Sequence, residues 1–215
     1  MTDYAYQGPK RGADRAVLLA HGAGADMHAA PLTSMADALA DAKIPSLRFN
    51  FPYKAAGRRA PDRPPVLAGA LRAAAAELAK QSKVPADRLV LGGRSMGGRV
   101  SSLVAAGADG EEPWPALGLV LLGYPLHPPG KPERLRVEHL PRLRMPALFV
   151  SGTRDAFGTP DELKAAAKRY KGRTTFHWID TADHGFKPLK SSGITQDEAL
   201  AVAADAVVAW VCALP

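Results

Sequence analysis

The chain is poor in the features that would define several protein classes. Cys212 is its only cysteine, so no intrachain disulfide can form, which fits a reducing cytoplasm. No stretch approaches the roughly 20 consecutive apolar residues that a membrane-spanning helix requires. The first residues, Met1 to Tyr6, lack the basic start and apolar block of a signal peptide. No C-x-x-C, H-E-x-x-H or calcium-loop spacing occurs, so no metal site and no cofactor are expected. Gly22-Ala23-Gly24 lacks the third glycine of a dinucleotide-binding turn, because Met27 stands in its place. The net charge is +7, yet no run of five or six basic residues occurs. The densest groups are Arg58-Arg59 with Arg63, and Arg134 with Arg136, Arg142 and Arg144. Neither is interleaved with aromatics, so a solvated basic surface is expected and no nucleic-acid partner. With no membrane partner expected either, a small-molecule substrate and a cytoplasmic monomer or homodimer are the expectation.

What is present fits one α/β domain spanning residues 1–215. Short β-like runs alternate with alanine-rich amphipathic stretches, the pattern of βαβ units in a doubly wound, mostly parallel sheet. Strands are predicted at Ala16–Ala20, Ile44–Asn50, Arg88–Gly93, Leu117–Leu122, Ala147–Ser151 and Thr174–Ile179. Helices are predicted at about Pro31–Ala42, Pro65–Gln81, Met96–Ala108, Pro160–Tyr170 and Thr195–Val211. Thr159 is a candidate N-cap with Pro160 at the first helical position. The first fifteen residues add at most an edge strand.

Gly93-Arg94-Ser95-Met96-Gly97 is a G-x-S-x-G element that directly follows one strand and opens the next helix. A serine there sits on a sharp strand-to-helix turn. Small neighbours two residues away let the strand and helix approach, and the helix N-terminus points at the hydroxyl. A serine hydroxyl needs a base, and the base needs an orienting acid. His184 lies just beyond the last strand and Asp155 just beyond the fifth, both at the carboxyl edge where such sheets bind ligands. The order Ser95, Asp155, His184 is the one found on α/β-hydrolase folds.

Asp180 is the runner-up acid, and Asp183 reads as a turn residue. His177 falls within a strand and is expected to be structural. His127 and His139 lie in a proline-rich connection and are expected at the surface, while His28 is placed near a helix approach. Two backbone N–H groups should form an oxyanion hole. Met96, the residue after the nucleophile, is one donor, and Ala23, in the loop after the first clear strand, is the other. His21 is expected to brace that loop. Gly24, Phe51, Tyr53, Arg94 and Phe186 are candidate substrate contacts, with Lys54, Arg58 and Arg59 as possible attractors of an anion. Cys212 reads as a small core residue.

These residues resemble a known family. Leu19 to Ala25, Arg48 to Tyr53, Gly92 to Arg99, Gly123 to Pro132, Gly152 to Asp155 and Asp183-His184 look like the dienelactone-hydrolase-like branch of the α/β hydrolases. They most resemble the small family that contains the hydrolase-like domain of a subunit of the NSL histone-acetyltransferase complex. The resemblance implies a hydrolase fold with Ser95, Asp155 and His184 as triad. It names no substrate, and some relatives look like protein-interaction modules. Dienelactone hydrolases use a cysteine where this chain has Ser95.

The connection from Leu126 to Met145 is 20 residues long and rich in proline and glycine, too short for a multi-helix cap. The expectation is a minimal hydrolase fold without a substantial cap, its site open to short or medium acyl groups. The expected activity is that of a serine carboxylesterase. The alternative is a non-catalytic interaction module on the same scaffold.

Overall fold

The computed structural model describes residues 3–215. Seven strands form one sheet: β1 (Tyr4–Gln7), β2 (Ala16–Ala20), β3 (Ser46–Phe49), β4 (Leu89–Arg94), β5 (Gly118–Leu122), β6 (Ala147–Gly152) and β7 (Thr174–Ile179). Their order is β1-β3-β2-β4-β5-β6-β7. Only β1 runs antiparallel, pairing Tyr4 with Phe49 and Gln7 with Ser46. The N-terminal residues therefore do add an edge strand.

The sheet is parallel because its strands are apolar on both faces. Side chains alternate along each strand. Leu18, Leu91, Leu119 and Leu121 point to one face. Val17, Leu19, Val90, Val120 and Leu122 point to the other. The first face is covered by α3 (Pro64–Ser82), α4 (Met96–Ala105) and α5 (Pro160–Ala167). On α3 the buried residues Leu67, Leu71, Ala74, Ala75 and Leu78 follow helical spacing. The second face is covered by α1 (Ala30–Asp41) and α6 (Gln196–Cys212), through Leu32, Met35, Leu39, Leu200, Ala203 and Val207.

Local chemistry sets the helix starts. Pro31, Pro64 and Pro160 occupy first-turn positions, where a missing N–H costs nothing. Thr159 with Glu162, and Thr195 with Glu198, form full capping boxes. The helices end a few residues short of two predicted limits. The α4 helix stops at Ala105, and a turn follows with Gly107 at φ +61°. The α5 helix stops at Ala167, and Tyr170 then turns inward to donate from its hydroxyl to the Met145 carbonyl at 2.9 Å.

Three expectations are corrected. His127 and His139 are buried, not at the surface. The proline-rich connection after β5 folds down onto α4, burying Leu126, Val137, Leu140 and Leu143. His139 Nε2 meets the Ser102 hydroxyl at 2.8 Å, and burial lowers its pKa to about 4, so the ring is neutral at pH 7. Cys212 is exposed, because it falls on the outward side of the last turn of α6 while Val211 faces the core. Finally, part of the Phe51–Arg63 loop is a short helix, α2 (Pro52–Ala55).

The connection after β5 carries a single short 3₁₀ turn at Leu140–Arg142, and among the described residues no cap stands over the carboxyl edge. The chain reverses direction of travel across the sheet after β3, returning past β2 to β4. The carboxyl ends of β2 and β4 therefore flank the crevice where doubly wound sheets bind ligands.

Candidate active site

Ser95 stands between β4 and α4 with φ +51° and ψ −116°. A non-glycine residue holds such angles only where its surroundings fix them, at a cost of about 1–3 kcal/mol. Two contacts do so. The Ser95 N–H donates to the Leu122 carbonyl at 2.8 Å, and the Ser95 carbonyl accepts from Arg99 N–H at 3.0 Å. Glycine at 93 and 97 is obligatory for a spatial reason. A Cβ at either position would run into the carbonyl of Ala20 on β2. The Ser101 hydroxyl ties the turn from below, reaching the carbonyls of Gly92 and Gly97 at 3.0 Å each.

His184 follows β7 in a loop shaped by its neighbour. Asp183 Oδ1 accepts the N–H groups of Gly185 at 2.7 Å and Lys187 at 3.0 Å. Asp183 is thus the turn residue and is occupied away from the ring. Arg94 Nη2 donates to the His184 carbonyl at 2.8 Å, tying the histidine loop to the strand that carries the serine. His184 Nε2 lies 3.0 Å from Ser95 Oγ, and its Nδ1 lies 2.8 Å from Asp155 Oδ2. The Phe157 ring stacks on the imidazole, with centroids 4.1 Å apart.

Asp155, in the loop after β6, is 1% exposed. Its Oδ1 accepts the Phe157 N–H at 2.8 Å, and its Oδ2 also accepts from the Ser151 hydroxyl at 3.3 Å. A carboxylate only accepts, so Nδ1 carries the histidine proton and Nε2 offers a lone pair to the serine. Asp180 lies elsewhere, accepting from the Thr153 hydroxyl at 3.3 Å.

The loop after β2 is held from behind by two side chains. His21 is fully buried; its Nε2 accepts the Phe51 N–H at 3.0 Å. That acceptance places the ring proton on Nδ1, which donates to the Gly22 carbonyl at 2.8 Å. Burial lowers the His21 pKa, in keeping with a neutral ring. Tyr53 donates from its hydroxyl to the Ala23 carbonyl at 2.7 Å. In a trans peptide the N–H points opposite the C=O. Fixing the Gly22 carbonyl therefore aims the Ala23 N–H, and fixing the Ala23 carbonyl aims the Gly24 N–H. Met96 is the first residue of α4, so its own N–H has no intrahelical acceptor.

A cavity of about 420 Å³ opens over this group, lined by Ala23, Gly24, Arg94, Ser95, Met96, Arg99, Pro125, Arg136, Phe157 and His184. Gly24 and Arg94, both candidate substrate contacts, are among the lining residues. Phe51, Tyr53 and Phe186 do not, and their expected contact with substrate is corrected: all three are fully buried. Phe51 packs edge-on against His21 at 4.9 Å, and Phe186 belongs to the core beneath α6. Lys54, Arg58 and Arg59 also lie outside the lining, and Arg58 is paired with Asp62 at 2.7 Å. The sequence reading missed Arg99, Arg136, Pro125 and Phe157. Arg99 was within reach of it, because it stands four residues after Ser95 on the same helix face. Among the described residues, no group of three or more His, Cys, Asp or Glu side chains could hold a metal ion, and no helix is long and apolar enough to cross a membrane.

The strained serine turn and the lidless carboxyl edge define a class. The chain belongs to the α/β hydrolase domain family, whose model matches residues 13–212. Solved structures agree in fold. A serine hydrolase homologue from Coxiella burnetii superposes with TM-score 0.73 at 19% identity, covering 97% of this chain and 90% of that one. A dienelactone hydrolase from Anabaena variabilis gives 0.72 at 19% identity, covering 99% and 92%. A lidless α/β serine hydrolase from Xanthomonas campestris gives 0.68 at 22% identity, covering 100% and 91%.

Proposed function

We propose that the protein is a serine hydrolase, a carboxylesterase acting on short or medium acyl esters through an acyl-enzyme. The observation that carries this reading is the unbroken relay from Ser95 Oγ through His184 to Asp155, at 3.0 Å and 2.8 Å. As Ser95 attacks the ester carbonyl, His184 Nε2 takes its proton. Asp155 holds the ring and stabilises the imidazolium. The Met96 N–H and the Ala23 N–H receive the oxyanion, with Gly24 beside them. One such donor is worth about 3–4 kcal/mol. His184 then protonates the leaving alkoxide, and the alcohol departs. Water, deprotonated by His184, cleaves the acyl-enzyme to release the carboxylic acid and restore the Ser95 hydroxyl.

The open edge and the modest cavity favour acyl groups shorter than a lipid chain. Nitrophenyl esters from acetate to palmitate test this. Turnover should peak at short to medium chains and disappear in Ser95→Ala. Persistent turnover in that variant would remove Ser95 from the mechanism. The competing reading is a non-catalytic interaction module on the same scaffold. It has no use for the relay, and it predicts a folded protein inert toward every ester.

A further inference from the structure

Among the described residues, three arginines line the cavity above Ser95 and no carboxylate does. Arg94 has a structural task, since its Nη2 holds the His184 carbonyl. The Arg99 guanidinium makes no hydrogen bond among the described residues, and that of Arg136 makes a single one, to a carbonyl. Neither makes an ion pair among the described residues. Arg99 is partly buried, and its Nε is shielded from solvent without a hydrogen-bond acceptor. Its backbone lies one turn along α4 from the serine, its N–H donating to the Ser95 carbonyl at 3.0 Å.

Arg136 is held in place. Its N–H donates to the Leu126 carbonyl at 2.8 Å, and its carbonyl accepts from the Tyr124 hydroxyl at 2.9 Å. Its guanidinium makes one contact, from Nη1 to the Pro125 carbonyl at 3.2 Å. Burial lowers its pKa, and the nearby positive charge of Arg99 lowers it further. Two like charges so placed repel each other. An anion between them would remove that cost. Arg99 and Arg136 also line an adjoining depression with Pro128, Arg134, Leu135 and Glu138, so the pair stands at the boundary between the catalytic cavity and the rim. Glu138 is exposed on that rim and forms no ion pair with either arginine.

We propose that Arg99 and Arg136 form a carboxylate-binding subsite, and that the substrate is a half-ester of a short dicarboxylic acid. The substrate class rests on the hydrolase reading above. His184 has to reach the leaving oxygen, which assigns the alcohol half to its side of the cavity. That leaves Arg99 and Arg136 for the acyl half and its terminal carboxylate. Guanidinium forks match carboxylate geometry, and a partly dry site strengthens the attraction.

The test compares two esters of similar size, nitrophenyl hemisuccinate and nitrophenyl butyrate. In the wild type, kcat/KM should favour the hemisuccinate by about tenfold or more, the factor that one charge-assisted contact supplies. Arg99→Gln and Arg136→Gln should each erase most of that ratio. Arg99→Lys should recover it only in part, and Arg59→Gln, altered on the exposed loop outside the cavity, should leave it intact. A wild-type ratio near one, or a ratio that depends on Arg59, overturns the subsite and leaves the esterase reading standing.

Calorimetric titration of glutarate and inorganic phosphate decides the matter independently of turnover. Glutarate binding that disappears in the Arg99→Gln, Arg136→Gln double variant supports the subsite even if neither ester is cleaved. Absent binding, or phosphate bound more tightly than glutarate, overturns it.

Discussion

Replacing Asp155 by asparagine tests the relay without changing its shape. The Phe157 N–H is a fixed donor 2.8 Å from Oδ1, so the asparagine oxygen is drawn to that side. Its amide nitrogen then occupies the Oδ2 position, 2.8 Å from His184 Nδ1. An NH₂ group there donates, which forces the ring proton onto Nε2. The atom that should accept the Ser95 proton becomes a donor. The flipped asparagine restores the tautomer but opposes two donors at Phe157, at about 1–3 kcal/mol for the buried unsatisfied group. It also lacks the charge that stabilises the imidazolium. Together these predict a loss of about 10³–10⁴ in kcat, or roughly 4–5.5 kcal/mol of barrier. The volumes match, so the melting temperature should move by only a few degrees. Steady-state ester hydrolysis, paired with a thermal melt, reads both. A folded Asp155→Asn within tenfold of wild type would refute the assigned role.

Other predictions address the scaffold. Gly97→Ala drives a Cβ into the Ala20 carbonyl and should cost several kcal/mol in urea unfolding, whereas Gly69→Ala, on the open face of α3, should gain about 0.5–1 kcal/mol. Tyr53→Phe frees the Ala23 carbonyl; kcat should fall about tenfold with KM little changed, at about 1 kcal/mol of stability. An equal rise in KM would place Tyr53 in ground-state binding instead. Burial alone would raise the Asp109 pKa, but Arg72, in contact at 2.7 Å and 2.9 Å, and nearby backbone N–H groups together hold it below the usual value. A depressed folded pKa means stabilisation present above the unfolded value of about 3.9 and lost as pH falls below it. Asp109→Asn should therefore be less stable than wild type at pH 6, and the gap should narrow by pH 3; a constant gap would contradict the linkage.

The parts of this molecule set by local rules were legible in its sequence. The apolar runs that became β2 through β7 carried the strand period. Thr159-Pro160 announced its own cap. Ser95, Asp155 and His184 each follow a strand, so their meeting at one edge comes from topology alone. What was hidden depended on packing across the sheet. Phe51 and Tyr53 follow a strand end as binding residues do, yet they turn inward, because His21 and the Ala23 carbonyl need partners behind the loop. His127 and His139 sit among prolines and charges, but the Leu126, Val137 and Leu140 side chains pull their segment onto α4. Arg136 lies far along the chain from Ser95, and no spacing rule connects them. The Tyr124 hydroxyl, which holds its backbone, makes that link in three dimensions.

The central claim is that Ser95 is a nucleophile activated by His184. Incubation with a fluorophosphonate, followed by intact mass and peptide mapping, tests it most directly. The account predicts one adduct per chain, on Ser95, and labelling at least a hundredfold slower in His184→Ala. A folded wild-type protein that stays unlabelled, or an adduct on any other residue, would contradict it.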